Sequence, residues 1–415
     1  MAKLAINGGK PAHKDPWPDW PVFDKAEEKA LLGVLRSRQW YHAQKVSEFE
    51  QAFAAFQGAR FGVTTCNGTA SLEAALVCCG IGAGDEVIIP AYTFQATADA
   101  VLRANGVPVF CDVELDTFNL DVDAAAVLVN EKTKAIIPVH WAGLPCDMDR
   151  IGALAKKHGL AVIEDACHSW GSRWKGKGTG ALGNAGAFSF QVSKNIAAGE
   201  GGIVVTDDEE LGRRVRGFTN CDRDLPDPWY YHYRMGSNYR MTEFQAAVLL
   251  AQLGRLEKQT AQRAENADLL NEELSKIPGI HVLRWDERVT RRAHHIYQVR
   301  YVAEECDGPS RERFMAALNA EGIPCYGGYS QPLYRHTLFR HNGDGPDYCP
   351  LSCPYYARRM DYTKVNCPNA ERICREAIWI RQSMLLGTRK DTRDIVRAFR
   401  KVSDGLSELK TGDKR

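Results

Sequence analysis

Between Phe61 and Thr206 the chain repeats one pattern: a short apolar run, a turn, then a segment of helical periodicity. The runs are Phe61–Thr65, Glu86–Ile89, Val107–Cys111, Ala135–Val139, Leu160–Glu164, Ala187–Phe190 and Gly202–Thr206. Ala70–Cys79, Ala96–Ala104, Asp123–Val129 and Met148–His158 read as helices between them. Apolar strands alternating with helices call for cover on both faces of a sheet. The expectation is therefore an α/β fold whose large domain holds a mainly parallel, seven-stranded sheet. The last two runs are joined too briefly for a regular crossover, so one of them is expected to run antiparallel. In such sheets the strand ends on one side gather at a single crevice.

Lys194, in Phe188-Ser189-Phe190-Gln191-Val192-Ser193-Lys194-Asn195, follows Asp165, which closes the run Leu160-Ala161-Val162-Ile163-Glu164-Asp165. A lysine downstream of an acid at a strand end is what pyridoxal phosphate chemistry needs. The amine forms a Schiff base with the cofactor aldehyde, and the acid keeps the ring nitrogen protonated. Taken alone, the pair also reads as a solvated lysine and a helix cap; its neighbours favour the cofactor. Asn67-Gly68-Thr69 lies between a strand and a helix, where unpaired amides and the helix dipole favour an anion. Gly68 lets the backbone approach closely, Thr69 adds a hydroxyl, and Ser189 offers another to the same phosphate. After the Glu86–Pro90 run, Phe94 or Tyr92 stands where a ring would stack on the cofactor.

These pieces in this order resemble the PLP-dependent sugar aminotransferases of the DegT/StrS type, within fold-type I. The matching stretches are Asn67–Leu72, Gly84–Pro90, Pro90–Phe94, Ile163–His168, Phe188–Phe190 with Ser193–Asn195, Gly199–Gly202 and Gly236–Thr242. The resemblance runs from about Trp40 to about Arg335. It implies Lys194 as Schiff-base lysine and proton shuttle, Asp165 as pyridinium partner, and His168 beside the cofactor's phenolic oxygen. It implies Gly68, Thr69 and Ser189 as phosphate ligands and Phe94 as the stacking ring. Asn238 matches a residue that reaches the phosphate of a neighbouring subunit, so a homodimer is implied.

One branch of that family replaces the lysine by histidine and performs dehydration; lysine here favours amino transfer. Gln191-Val192 departs from the His-Pro or Phe-Pro pair of many relatives and is similar to the aminohydroxybenzoate synthase branch. With Leu4–Pro11 and Trp17–Pro21, it draws the chain towards the cyclitol and aminohydroxybenzoate branches. The activity implied is transfer of an amino group from L-glutamine or L-glutamate to a keto-sugar or ketocyclitol without a nucleotide. Tyr326, Tyr329, Gln331 and His168 are candidates to hold such a polyol. A nucleotide-sugar aminotransferase, or a PLP-dependent dehydratase or lyase on the same scaffold, stands as the alternative enzyme. A PLP-binding protein without turnover is the alternative outside catalysis.

With 53 basic and 52 acidic residues, the net charge of +1 gives no electrostatic case for nucleic acid. The start lacks an apolar signal core and no uncharged stretch is long enough for a bilayer, so a cytoplasmic protein without membrane contact is expected. Thirteen cysteines, with Cys78 and Cys79 adjacent, suit reduced thiols. Cys349, Cys353, Cys367 and Cys374, with His336 and His341, are too loosely spaced for a zinc site, and no metal is expected. Gly80–Gly84 and Gly176–Gly180 read as turns. Thr242-Glu243-Phe244-Gln245 matches a capping box opening a long helix, with Phe244, Val248, Leu249, Leu253 and Leu256 as an apolar stripe. That helix should stop near Ile277-Pro278-Gly279. The expected division is an N-terminal arm over 1–45, a large PLP-binding domain over 46–277 and a small α+β domain over 278–415. The aromatic pair Trp40-Tyr41 is a candidate border of the substrate pocket.

Overall fold

The computed structural model describes residues 3–223, 231–340, 350–351, 356 and 360–409. All seven apolar runs form one sheet: β1 (Phe61–Thr65), β2 (Glu86–Pro90), β3 (Val107–Cys111), β4 (Thr133–Ile136), β5 (Ala161–Asp165), β6 (Ala185–Ser189) and β7 (Gly202–Thr206). Their order across the sheet is β1-β7-β6-β5-β4-β2-β3. β7 alone is reversed, pairing antiparallel with β1 and β6. The other pairings are parallel. This reversal has a consequence for position. The connection from β6 to β7 turns back at the strand ends, and Lys194 lies on it, near the C-terminal ends of β5 and β6. β2, β3, β6 and β7 are buried along their whole length, as a sheet covered on both faces requires.

The helix Gly68–Cys78 is buried on nearly every side and packs on β6 and β7. Asn67 caps it by accepting from the Ala70 amide at 2.9 Å. The long helix Glu243–Leu274 opens with the expected capping box, Thr242 and Gln245 bonding reciprocally. Within its stripe Leu249 and Leu256 are buried, while Phe244, Val248 and Leu253 are half-buried. Two further helices, Lys25–Ser37 and Gln44–Gln57, run through and beyond the stretch expected as an arm. The first is started by a capping box of Asp24 and Glu27, and Arg255 of the long helix pairs with both acids.

A second, antiparallel sheet holds β8 (Ile280–Val282), β9 (Ile296–Tyr301), β10 (Cys325–Tyr326) and β11 (Ala377–Arg381) in the order β8-β9-β11-β10. Its core gathers Phe314 and Leu318 from the helix Arg311–Ala320, Ile395 and Phe399 from Arg389–Asp404, and Leu4 from the N-terminal segment. Leu333, Tyr334, Phe339, Tyr362, Cys367 and Cys374 pack with the first sheet instead. Phe339 and Tyr362 meet Phe110 of β3 edge-on at 4.9 and 5.3 Å, and the Tyr362 hydroxyl donates to the Pro108 carbonyl. Packing therefore cuts across chain order. Among the described residues every cysteine is a free thiol. Cys349, Cys353 and His341 lie outside the described residues, and Cys367 and Cys374 are buried like small apolar residues. No helix among the described residues is long and apolar enough to cross a membrane.

Candidate active site

β5 ends in two acids that the strand's alternation sends to opposite faces. Glu164 is fully buried. It accepts from the amides of Gly180, Leu182 and Gly183, each at 2.6 Å, and faces His140 Nε2 at 2.8 Å. The Cys146 amide donates to His140 Nδ1, so the ring proton sits on Nε2 and points at Glu164. Asp165 is fixed from its backbone: its amide donates to the Pro138 carbonyl, and its carbonyl accepts from His140. Its carboxylate accepts from the Thr97 hydroxyl at 2.8 Å and the Cys167 amide at 3.2 Å. Sequence reasoning identified Asp165 but neither Thr97 nor the Glu164 anchor behind it.

Lys194 is partly buried, with Nζ 5.9 Å from the centre of the Trp170 ring. The turn that carries it is held by Gln191. Its side-chain oxygen accepts from the Ser193 amide and hydroxyl at 2.8 and 2.7 Å, and its carbonyl accepts from the Lys194 amide. The glutamine that departs from many relatives thus has a structural task of its own. On the far side Asn195 donates to the Ala293 carbonyl and bonds His295 Nδ1. Burial lowers the Lys194 pKa from 10.5, against the opposing pull of Cys167, Asp165 and Glu200. His168 is buried with its ring edge-on to Trp141 at 5.3 Å and tilted against His295 at 4.5 Å. Burial, and then the Lys194 charge, hold it well below its usual pKa, so it is neutral.

These groups open on one cavity of about 1470 Å³, where Asp165, His168, Ser189 and Lys194 meet Gly68, Thr69 and Phe94. The Phe94 ring is largely exposed to it. Tyr92, the other aromatic considered for stacking, is buried in the core against Trp141 and Phe118, and is removed from that role. Tyr326 and Tyr329 line the cavity; Gln331, Trp40 and Tyr41 do not, which corrects three expectations. Asn238 is exposed and lies outside this cavity, although its neighbour Tyr239 lines it. Sequence reasoning also missed Trp17–Trp20, His295 and Arg381 as lining residues. Trp20 Nε1 donates to the Val192 carbonyl at 2.8 Å, tying the N-terminal segment to the Lys194 loop.

The residues present fit pyridoxal phosphate. At the start of the Gly68–Cys78 helix the amides of Gly68 and Thr69 have no acceptor within the helix. A Cβ on Gly68 would lie 2.7 Å from Ser189 Cβ and 3.0 Å from Cys167 Sγ, so only glycine leaves this cradle open. His168 Nδ1 is buried without a partner, as a group awaiting a polar ligand would be. Lys175 and Lys177, two other lysines between Asp165 and Lys194, are exposed and occupied outside the cavity, Lys175 with Asp149 and Lys177 with Asp207.

Comparison with known proteins agrees with this geometry. The pattern of the DegT/DnrJ/EryC1/StrS aminotransferase family matches residues 21–353. An L-glutamine:2-deoxy-scyllo-inosose aminotransferase of Streptomyces paromomycinus is 37% identical over 419 residues, covering 96% of this chain and 97% of that protein. The 3-amino-5-hydroxybenzoate synthase of Amycolatopsis mediterranei (strain S699) is 38% identical over 382 residues, covering 90% and 94%. Among solved structures, 3-amino-5-hydroxybenzoic acid synthase superposes with a TM-score of 0.83 at 36% identity, covering 95% of this chain and 99% of that one. DesI, solved with its TDP-sugar product, also reaches 0.83, at 29% identity and 99% coverage of both chains. The chain belongs to the DegT/DnrJ/EryC1/StrS aminotransferase family and is a pyridoxal-phosphate-dependent aminotransferase.

Proposed function

We propose that this enzyme takes nitrogen from L-glutamine and delivers it to a ketocyclitol or keto-sugar that carries no nucleotide. The observation that carries the reading is the nearly full-length likeness to an L-glutamine:2-deoxy-scyllo-inosose aminotransferase. It is supported by a cavity in which Lys194 and Asp165 meet beside an anion cradle. Pyridoxal phosphate, when bound, supplies an aldehyde that captures amines and a protonated ring that accepts the electron pair released at the donor's α-carbon.

The chain's residues divide the remaining work. Lys194 is the residue that would hold the cofactor and, as a free amine, would move the α-proton at Nζ; its lowered pKa favours the free amine that both tasks need. Asp165, oriented by Thr97 and the Cys167 amide, would pair with the ring nitrogen. Neutral His168, whose Nδ1 is buried without a partner, would offer that atom to the phenolic oxygen. Gly68, Thr69 and Ser189 would hold the phosphate, and Phe94 would cover the ring. Asn238 completes the phosphate site of a second copy, so the active unit is a homodimer. The chain divides into an arm over 1–45, a large domain over 46–277 and a small domain over 278–415, with Leu4 reaching into the small domain's core and Phe339 and Tyr362 reaching back onto the large domain's sheet, and it works in the cytoplasm, where its thiols stay reduced.

For the acceptor, Tyr326, Tyr329 and His168 supply hydroxyl and imidazole groups suited to a neutral polyol. The adjacent Arg291 and Arg292, one local basic cluster that could have served a diphosphate, do not line the cavity: Arg291 pairs with Glu257 and Arg292 is buried. The likeness to DesI favours the second reading, a nucleotide-linked sugar. Product mass spectrometry over a panel of ketocyclitols and keto-sugars with glutamine as donor decides between them. Amination of 2-deoxy-scyllo-inosose, with no inhibition by nucleoside diphosphate, is the expected result. Tight inhibition by a nucleoside diphosphate overturns the nucleotide-free reading.

A further inference from the structure

An α-amino acid donor brings a carboxylate next to the carbon that loses its nitrogen, and the keto acid leaves with that same charge. A carboxylate in a cavity walled by aromatic rings needs a cation with donors free to face it. Three such cations line the cavity: Arg103, Lys194 and Arg381. Lys194 is used by the chemistry. Arg103 follows Asp99 by one helical turn, and its charge acts on the buried Glu73. Arg381 is left: among the described residues it makes no ion pair, and the group beside it is the Tyr326 hydroxyl.

Its placement follows from strand alternation. Along β11, Ile378 and Ile380 turn into the second core, whereas Trp379 and Arg381 face the cavity. Trp379 is wedged among Trp141, Tyr329 and Tyr326 at 5.4, 5.2 and 5.8 Å, which makes a stiff wall beneath the guanidinium. Arg381 pairs with Ile296 across β9, next to His295, whose ring lies against His168. The residue after it is fixed as well, because Arg263 donates twice to the Gln382 side-chain oxygen at 2.9 and 2.7 Å.

We propose that Arg381, with the Tyr326 hydroxyl beside it, receives the α-carboxylate of the amino donor and orients the donor's amine towards Lys194. The assignment rests on the reading of Lys194 as the cofactor-bearing lysine. Two probes test it in the cofactor-loaded enzyme. 4-Carbamoylbutanoate is glutamine without its amine, so it binds but cannot react. 4-Aminobutanamide is glutamine without its carboxylate. Arg381→Gln should weaken calorimetric binding of 4-carbamoylbutanoate about tenfold, the scale of one charge-assisted hydrogen bond. Arg381→Lys should recover part of that loss, since the charge stays while the planar fork is gone. The rate at which 4-aminobutanamide bleaches the cofactor band should not change in either variant. Unchanged 4-carbamoylbutanoate binding, or an equal slowing with 4-aminobutanamide, overturns the proposal. Borohydride labelling of the same preparations separates the two readings. A label on Lys194 with unchanged binding overturns the Arg381 assignment alone, and a label on another lysine overturns the site reading beneath it.

Discussion

Lys194 is kept in a setting that works against its charge. Burial is the largest influence on it, and the acids and thiol around it only partly offset that penalty. The cost has a sign that can be checked. A lysine whose pKa is lower in the folded than in the unfolded chain destabilises the fold fully below its folded pKa. The penalty fades as pH rises towards the ordinary value of 10.5, because both states are then neutral. Lys194→Met should therefore abolish turnover while raising the melting temperature of the cofactor-free protein at neutral pH. The difference from wild type should stay level below the folded pKa and then shrink as pH rises from there to about 10.5. A constant difference across that range would mean that packing, not charge, accounts for the gain. His168 follows the same logic in milder form: neutral at working pH, it can serve the cofactor as a hydrogen-bonding group without adding a second positive charge beside Lys194.

At the scale of elements, the site is made where helix starts and strand ends meet, and much of this was legible in the sequence. The seven apolar runs announced the sheet because strands covered on both faces carry no polar alternation to blur them. Asn67-Gly68-Thr69 announced the cradle because a helix start needs a cap and a ligand needs backbone room. What stayed hidden had non-local causes. Arg381 is an ordinary strand-end arginine until β11 pairs with β9 and its alternation turns that side chain into the cavity. Trp17–Trp20 join the site only through contacts with residues far along the chain, Trp17 with Gly322 and Trp20 with Val192. Glu164 read as one more strand residue, because the three amides that define it come from a later loop. The cradle itself gives a prediction. In Gly68→Ala the added methyl meets Ser189 Cβ at 2.7 Å, so either the helix start or the β6 end must shift. Overpacking of this kind costs about 1–3 kcal/mol of stability. The more telling loss should be in cofactor retention, with the dissociation constant for pyridoxal phosphate rising about tenfold or more by spectroscopic titration. A variant that melts earlier yet binds the cofactor normally would place the phosphate elsewhere.

For the whole molecule, the question is whether one chain contains a complete site. Asn238 suggests not: it is exposed and is not part of its own cavity's lining, whereas Tyr239 beside it donates to Glu73 within that lining. In the segment before it Tyr231, Tyr233 and Met235 are more than half exposed, interleaved with exposed His232 and Arg234, a mixed surface that a second copy could cover. In a two-fold dimer each such face serves the other subunit's cavity. The expected result comes from mixing a Lys194→Ala chain with an Asn238→Ala chain after mild dissociation. If Asn238 works across the interface, a mixed dimer has one site carrying both defects and one carrying neither. Random reassociation makes about half the dimers mixed, so activity should recover to about a quarter of wild type per subunit. If Asn238 served its own subunit's site, every site in the mixture would carry one defect and no activity would return. A fully active monomer in light scattering would remove the shared site altogether.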